Sequence, residues 1–336
     1  MINRTQEEIM QDWGVDNSDS PLVSVRCITY NHEPYIAQAL DGFLMQKTNF
    51  PFEVIVHDDA SPDKTADIIR EYEAKFPKII KPIYETENQY SKHDGSLGRI
   101  MDAACKGKYI ALCEGDDYWI DENKLQMQVD FLEGNPDYEM CYTNFNILNQ
   151  KKGIYEYNLF NSGKKVFSPL YNSLDEWVIN KGYTAPMTWV FKRELTEFDR
   201  LNSLDGTFVM FAHFYANSKV ECFKEKTTSV YRKLEESVSH SKDIKKLYER
   251  TINMFETQKK LINKYSLCEE TREICCRNFY QKNWKIFISM NDIENIEKSI
   301  SFQNNYMIKI LLKIGKNYFF SHVFKKLYMI ARMLNS

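Results

Sequence analysis

Two acidic pairs carry the strongest chemical signal in this sequence: Asp58-Asp59 and Asp116-Asp117. Adjacent carboxylates repel one another, and folding gains nothing obvious from placing them side by side. A hard divalent cation, Mg²⁺ or Mn²⁺, would neutralise such a pair, taking oxygen ligands from a carboxylate and from phosphates. Paired acids are also common in loops, and Asp121 stands ready to cap a following helix. The pair at Asp58-Asp59 precedes Ala60-Ser61-Pro62, so one of its acids either caps a helix or accepts hydrogen bonds from a nucleobase or ribose.

Both pairs must be positioned by the elements before them. Leu22 to Ile28 reads as a buried strand, Pro34 to Met45 as a helix, and Phe52 to Val56 as a second strand. Ser61-Pro62 has the composition of a helix start, and Ile68, Ile69, Tyr72 and Phe76 supply an apolar stripe. A third strand is expected over Ile79 to Tyr84, a short helix after Gly98, and a fourth strand from Tyr109 to Cys113. That fourth run ends abruptly in Glu114-Gly115-Asp116-Asp117. Strands alternating with helices imply an α/β fold with a mostly parallel sheet and right-handed crossovers. Ligands in such sheets bind beyond the carboxyl ends of the strands, where both acidic pairs fall.

The rest of the chain is less regular. Thr5 and Glu8 have capping-box spacing in a short N-terminal helix. After about residue 150 the pattern loosens into aromatic-rich loops and short segments. From Lys242 it turns helical, with Ile244, Tyr248, Phe255 and Ile262 in phase, and a further helix carries Trp284 and Phe287. The 336 residues suffice for one large domain with appended helices or for two compact domains. Charged residues at 27% and hydrophobic ones at 43% describe a folded chain, and a net charge of -3 gives no argument for nucleic acid as partner. The eight cysteines show no CxxC spacing, which suits a reducing, cytoplasmic setting. The N-terminus lacks the apolar core of a signal peptide, and no apolar run is long enough to span a bilayer. No GxGxxG or GxxxxGK[ST] sequence occurs, which disfavours a nicotinamide or P-loop site.

Three segments together resemble family 2 glycosyltransferases, which have the GT-A fold. They are Val23-Ser24-Val25-Arg26-Cys27-Ile28-Thr29-Tyr30-Asn31, then Phe52-Glu53-Val54-Ile55-Val56-His57-Asp58-Asp59-Ala60-Ser61, then Gly107-Lys108-Tyr109-Ile110-Ala111-Leu112-Cys113-Glu114-Gly115-Asp116-Asp117-Tyr118-Trp119. The match is clear from about Pro21 to Asn144 and weaker to about His240. The resemblance implies a 1–20 N-terminal helix and linker and a 21–240 catalytic domain. Within it, 21–145 would bind the nucleotide-sugar and 146–240 the acceptor, with 241–336 as a helical extension.

It further implies a nucleotide-sugar donor, UDP preferred, contacted by Thr29, Tyr30, Asn31, Glu33, Asp59 and Asp116. Asp58 either assists or caps the helix, and Arg99 either lies beside the nucleotide or is a solvated helix residue. Asp117 would be the direct ligand of Mn²⁺ or Mg²⁺ in a DxD-type motif. Leu204-Asp205-Gly206 resembles the segment that carries the general base, with Leu204 in place of the usual glycine. That implies Asp205 as base, with Asp199 and Glu197 as nearby competitors. Thr188 and Trp189 stand where the family builds its acceptor pocket, although a tryptophan in an apolar run also suits a core. Asp175 and Glu176 either line the same cleft or start a helix. In Val230-Tyr231-Arg232-Lys233-Leu234, similar to a family YRxH segment, Leu234 replaces the histidine, with His240 close by. The activity implied is inverting transfer of a hexose or related sugar to a saccharide acceptor, in surface-polysaccharide assembly of the O-antigen or capsule kind. A non-catalytic glycan-binding module and a glycoside hydrolase are the rival readings; a nucleotidyltransferase would carry a glycine-rich basic loop after its first strand. Past Glu297 basic and apolar residues alternate at helical spacing, from Lys309 and Ile310 to Arg332 and Met333. Such a tail either lies peripherally on an anionic membrane, suiting a lipid-linked acceptor, or packs on the catalytic domain.

Overall fold

A computed structural model of the chain describes residues 3–14, 20–92, 94–161, 171, 173–181, 184–199, 201, 203–234 and 243–315. His240 and the tail beyond residue 315 lie outside these. The chain divides into two compact units. The first comprises Met1–Leu170, Tyr183–Phe198 and His213–Leu234, and the second Tyr171–Gly182, Asp199–Ala212 and Glu235–Ser336. The segments 171–182 and 199–212, expected in the acceptor-binding part, therefore group with the C-terminal helices.

The described elements run, in chain order, α1 (Gln6–Met10), β1 (Val23–Thr29), α2 (Ile36–Leu44), β2 (Phe52–Asp58), α3 (Thr65–Lys75), β3 (Ile80–Tyr84), α4 (Ser96–Ala104) and β4 (Tyr109–Leu112). There follow β5 (Tyr118–Trp119), α5 (Lys124–Gly134), β6 (Tyr138–Asn149), β7 (Ile154–Glu156), α6 (Leu174–Asn180), β8 (Val190–Lys192), α7 (Gly206–Asn217) and β9 (Lys219–Lys233). The chain then forms α8 (Ile244–Lys264), α9 (Glu269–Met290), α10 (Ile293–Phe302) and α11 (Tyr306–Gly315).

The first unit is built on one sheet in the order β3-β2-β1-β4-β8-β6-β9-β5, with β7 paired to β6. Strands β3, β2, β1 and β4 are parallel, as the βα alternation requires. The central strands are deeply buried: every residue of β2 is buried, and Val23, Val25 and Cys27 of β1 are inaccessible. Such strands need cover on both faces, which crossover helices provide. Beyond β4 the sheet becomes mixed. β8 is antiparallel to β4 and β6, β9 is parallel to β6, and β5 is antiparallel to β9. This GT-A-like α/β sheet is thus less parallel than the first four strands suggest.

Several sequence expectations shift here. The segment after 150 is not only loops: β9 is a 15-residue strand, hidden because its register with β6 breaks at Thr143/Asn144 and Asn144/Phe145. Ser61 does not cap α3, which begins at Thr65; its hydroxyl accepts the Asn31 N–H instead (3.0 Å). Gly98 lies inside α4 rather than before it. The capping box of α1 forms as the spacing predicts, Thr5 Oγ1 accepting from Glu8 N–H and Glu8 Oε2 from Thr5 N–H.

One polar cluster is sealed inside the first unit. Lys124, at the start of α5, is fully buried. Its Nζ donates to Gln128 Oε1 (2.7 Å) and lies 4.5 Å from the Trp119 ring centroid. Burial pushes this ammonium down to about 7, from an ordinary value of 10.5. The unfolded chain therefore holds a proton that the folded chain releases, so this residue's contribution to stability rises with pH across that window. We expect the stability advantage of Lys124→Met over wild type to shrink by up to about 1.4 kcal/mol per pH unit above neutrality. Urea unfolding of both proteins from pH 7 upward measures it; parallel curves would contradict the assignment.

The second unit carries α8 and α9, with Phe255 and Phe279 stacked at 3.9 Å between centroids. Ile244, Phe255 and Ile262 are buried, as are Trp284 and Phe287, in the phase the sequence shows. No helix among the described residues is long and apolar enough to cross a membrane.

Candidate active site

The C-terminal end of β1 gathers both acidic pairs by backbone hydrogen bonds. Asp59 N–H donates to the Thr29 carbonyl (3.0 Å), while Cys113 and Gly115 N–H groups donate to the carbonyls of Arg26 (3.1 Å) and Ile28 (3.0 Å). The loops that follow β1 and β2 are stitched to each other. His32 N–H donates to Thr65 Oγ1 (2.9 Å), Glu33 N–H to Asp63 Oδ2 (3.1 Å) and Lys64 N–H to Glu33 Oε2 (3.2 Å). Asn31 and Ala60 both adopt left-handed backbone, φ 58° and 61°. Asparagine tolerates that region; alanine pays for it, and such strain concentrates at functional sites.

The members of the first acidic pair have different surroundings. Asp59 accepts the N–H groups of Gln89 (2.6 Å) and Tyr90 (3.0 Å), one on each oxygen, and so anchors the loop after β3. Asp58 accepts Ser61 N–H on Oδ2 (3.3 Å), while its Oδ1 is buried without a partner. Burial pushes the Asp58 carboxyl above its ordinary range, against the bonds from Ser61. Tyr30 is exposed, and Glu33 is engaged with Lys64 as described. Arg99 is an exposed residue of α4 whose Nη1 donates to the Asp94 carbonyl (2.8 Å). Nothing among the described residues ties it to the end of β1.

The second pair is held by a residue of the Tyr231-Arg232 segment. Arg232, at the end of β9, donates its backbone N–H to Asp117 Oδ1 (2.7 Å) and its Nε–H to the Asp116 carbonyl (2.8 Å). Its Nη1 and Nη2 reach Gln150 Oε1 (2.7 Å) and Gln38 Oε1 (2.6 Å). The guanidinium lies between the rings of Tyr35 and Tyr118, 4.8 and 5.0 Å from their centroids. Asp117 is buried, and desolvation together with Asp116 pushes its carboxyl well above the ordinary range.

Asp116 Oδ1 is buried without a partner, as are Thr29 Oγ1 and His32 Nδ1. Buried polar atoms are normally paired, so this concentration of open ones around a single strand end makes it the candidate site. The donor set also fits a hard divalent cation. Among the described residues no three His, Cys, Asp or Glu side chains are grouped as a metal cage. One or two carboxylates with the remaining positions left to phosphates is how Mg²⁺ is commonly held beside nucleotides.

Gly115 has no space for a side chain. A Cβ there would lie 2.8 Å from Thr29 Oγ1 and 2.9 Å from His32 Nδ1. Gly115→Ala should cost about 1–3 kcal/mol, the usual range for overpacking, measurable by denaturant unfolding. An unchanged midpoint would show that the Thr29–His32 corner is loose.

The other expected residues are distributed differently. Thr188 and Trp189, expected where the acceptor pocket is built, lie inside the first unit. Both are buried: Thr188 Oγ1 donates to the Ala185 carbonyl (2.7 Å), and Trp189 donates to Thr184 Oγ1 (3.1 Å) and packs edge-on against Phe214. The apolar run around Trp189 is core. In the second unit, Asp205 accepts from Thr207 Oγ1 (2.8 Å) and Phe208 N–H (3.0 Å) on its Oδ1, capping the first turn of α7. There too, Ser173 caps α6 by accepting Glu176 N–H, so Asp175 and Glu176 start a helix.

Arg232 lies in the Tyr231-Arg232 segment that the sequence did flag. It was judged by the missing histidine at Leu234, and hydropathy does not reveal a buried arginine. His32 is a second omission; it lies between the named Asn31 and Glu33, but only the structure shows its ring against Gly115.

Comparison with known proteins bears on the fold and the family. A Mycobacterium tuberculosis protein, itself uncharacterized, is 47% identical over 120 residues, 36% of this chain and 34% of that protein. The matched region thus spans about a third of that relative. The Escherichia coli protein WfgD, named UDP-Glc:alpha-D-GlcNAc-diphosphoundecaprenol beta-1,3-glucosyltransferase, is 30% identical over 131 residues, 39% of this chain and 48% of its own. The crystal structure of S. aureus TarS 1-349 in complex with UDP-GlcNAc shares the fold, with TM-score 0.59 and 19% identity over 92% of each chain. The family described as Glycosyl transferase family 2 matches residues 24–198. With that match over half of its length, laid on a GT-A-like sheet whose strand ends gather the acidic pairs, the chain belongs to glycosyl transferase family 2.

Proposed function

We propose that this glycosyltransferase moves a sugar from a nucleoside diphosphate donor, UDP by preference, to a hydroxyl of a saccharide acceptor, with inversion, in polysaccharide biosynthesis. The observation that carries the reading is the set of buried, unpartnered polar atoms at the ends of β1, β2 and β4: Thr29 Oγ1, His32 Nδ1, Asp58 Oδ1 and Asp116 Oδ1. A nucleoside supplies hydroxyl and N–H donors for Asp58, with the exposed Tyr30 ring and the Asn31 backbone beside it, and Asp59 fixes the loop that closes that side. Asp117, with Asp116 adjacent, would hold Mn²⁺ or Mg²⁺. When bound, such an ion neutralises charge developing on the diphosphate leaving group. The names of WfgD and of the TarS complex, both of which mention UDP-sugars, support the donor class.

In the reaction, the acceptor oxygen forms a bond to the anomeric carbon as the bond from that carbon to the diphosphate breaks. The electron pair leaves with the diphosphate, and the acceptor proton passes to a carboxylate. We assign that carboxylate to Asp205, on its position in the segment similar to the family's base motif. Its Oδ1 is used as a helix cap, and Oδ2 has no hydrogen bond among the described residues. A lipid-linked acceptor fits the diphosphoundecaprenol in WfgD's name, and the basic residues Lys309 and Lys313 begin the stretch that would touch an anionic surface. The experiment is a donor panel of UDP-, dTDP- and GDP-sugars with Mn²⁺ and lipid-linked or free saccharides, read by nucleotide release. Asp205→Asn should lose roughly 10²–10⁴-fold in rate, the usual contribution of a general base. Retention of most of the rate removes Asp205 from the role.

A further inference from the structure

The β6–β7 hairpin carries exposed aromatic surface. Tyr155 is 39% exposed and Tyr157 66%. Their rings stack at 5.7 Å between centroids and 17° between planes. Residues two apart in an extended segment share a face, so both tyrosines project from the same side.

The strand register identifies that side. Tyr155 is opposite Leu148 in β6, and Leu148 is opposite Arg232 in β9. Cross-strand partners share a face, and Arg232 holds the Asp116-Asp117 turn. The tyrosine pair therefore stands on the face of the sheet that carries the acidic turn, two strand spacings from Arg232, about 10 Å. A direct link joins the two places: the hydroxyls of Tyr155 and Tyr118 are hydrogen-bonded, and Tyr118 directly follows Asp117. That bond fixes one ring in place, so a ligand docking on it loses little of its binding energy to ordering the protein.

The chemistry of the platform selects among ligands. The two near-parallel, stacked phenols offer an outer apolar face edged by hydroxyl, which matches a pyranose ring with its axial C–H groups on one side and hydroxyls around its edge. The nucleoside is assigned above to the ends of β1 and β2, and in the sheet order β4 and β8 separate those strands from β6. The surface on the other flank of the motif is left for the second substrate. We infer that Tyr155 and Tyr157 form a stacking subsite for a sugar ring of the saccharide acceptor, beyond the residue that receives the transferred sugar. This rests on the transferase reading above.

The test uses the full chain and soluble oligosaccharides of glucose, galactose, mannose and N-acetylglucosamine, with saturation-transfer NMR reporting binding. UDP with Mn²⁺ is titrated separately by thermal shift. At least one oligosaccharide should bind wild type through its ring C–H groups. Affinity should fall about fivefold to tenfold in Tyr157→Ala and persist in Tyr157→Phe, which keeps the ring. The nucleotide response should be the same in all three proteins. Failure of every oligosaccharide to bind wild type, or equal binding by Tyr157→Ala, overturns the subsite. A weakened UDP response in Tyr157→Ala also overturns it and makes the platform a nucleobase site. If wild type gives no UDP response but loses saccharide binding in Tyr157→Ala, the donor reading fails while the sugar platform stands.

Discussion

Asp117→Asn lowers the rate of sugar transfer by roughly 10²–10³-fold, the range seen when one preorganised charge-stabilising group is removed, and leaves the metal-free protein folded. The amide keeps an oxygen where Oδ1 accepts the Arg232 N–H, so the turn retains its anchor. What is lost is the charge. In the metal-free chain that charge is unfavourable, because burial and Asp116 both oppose ionisation of Asp117. The substitution should therefore leave stability level or slightly higher in the absence of metal, while abolishing the stabilisation that Mn²⁺ and nucleotide confer together. Rate assays under saturating Mn²⁺ and unfolding curves in chelator separate these effects. A variant that lost stability without metal, in step with activity, would show Asp117 to be a structural residue.

The second large effect is expected at Arg232. Replacement by methionine should destabilise the first unit by about 3–5 kcal/mol, the cost of removing one member of a buried charged cluster. Three acceptors, the Asp116 carbonyl and the side-chain oxygens of Gln38 and Gln150, would be left without their donor. The space between Tyr35 and Tyr118 would lose its flat cation as well. Lysine keeps the charge but not the planar fork, so Arg232→Lys should recover less than half of the loss. Because the backbone N–H to Asp117 survives any substitution, nucleotide–metal affinity should fall less steeply than stability. Denaturant unfolding gives the first quantity and titration with UDP and Mn²⁺ the second. A surface-like change below 0.5 kcal/mol would contradict the buried clamp.

What the sequence could and could not disclose follows from the range of the interactions. The parallel half of the sheet was legible because Val23, Val25, Val54 and Val56 sit in short β-branched segments, the second of which ends in acids, and strand patterning is a local property. The long helices α8 and α9 were legible for the same reason. Local pattern fails where a distant partner decides. Ser61 resembles a helix cap, yet Asn31, thirty residues earlier, takes its hydroxyl. Asp59 and Asp58 are adjacent and chemically identical, and only the amides of Gln89 and Tyr90 distinguish their roles. Trp189 was named for an acceptor pocket, and its burial against Phe214 makes it core. Arg232 is the clearest case, because its importance lies entirely in contacts with residues 82 to 197 positions away.

The central claim is that the ends of β1, β2 and β4 form a metal-dependent nucleotide site. Its most direct measurement is the thermal shift of wild type and Asp117→Asn with UDP, dTDP and GDP, each with and without Mn²⁺, since a ligand that binds only the folded state raises its stability. The account predicts a shift with one nucleotide, UDP first, that requires Mn²⁺ and is absent in the variant. A folded wild-type protein that responds to none of the three nucleotides, or responds equally without the metal and in Asp117→Asn, would contradict it.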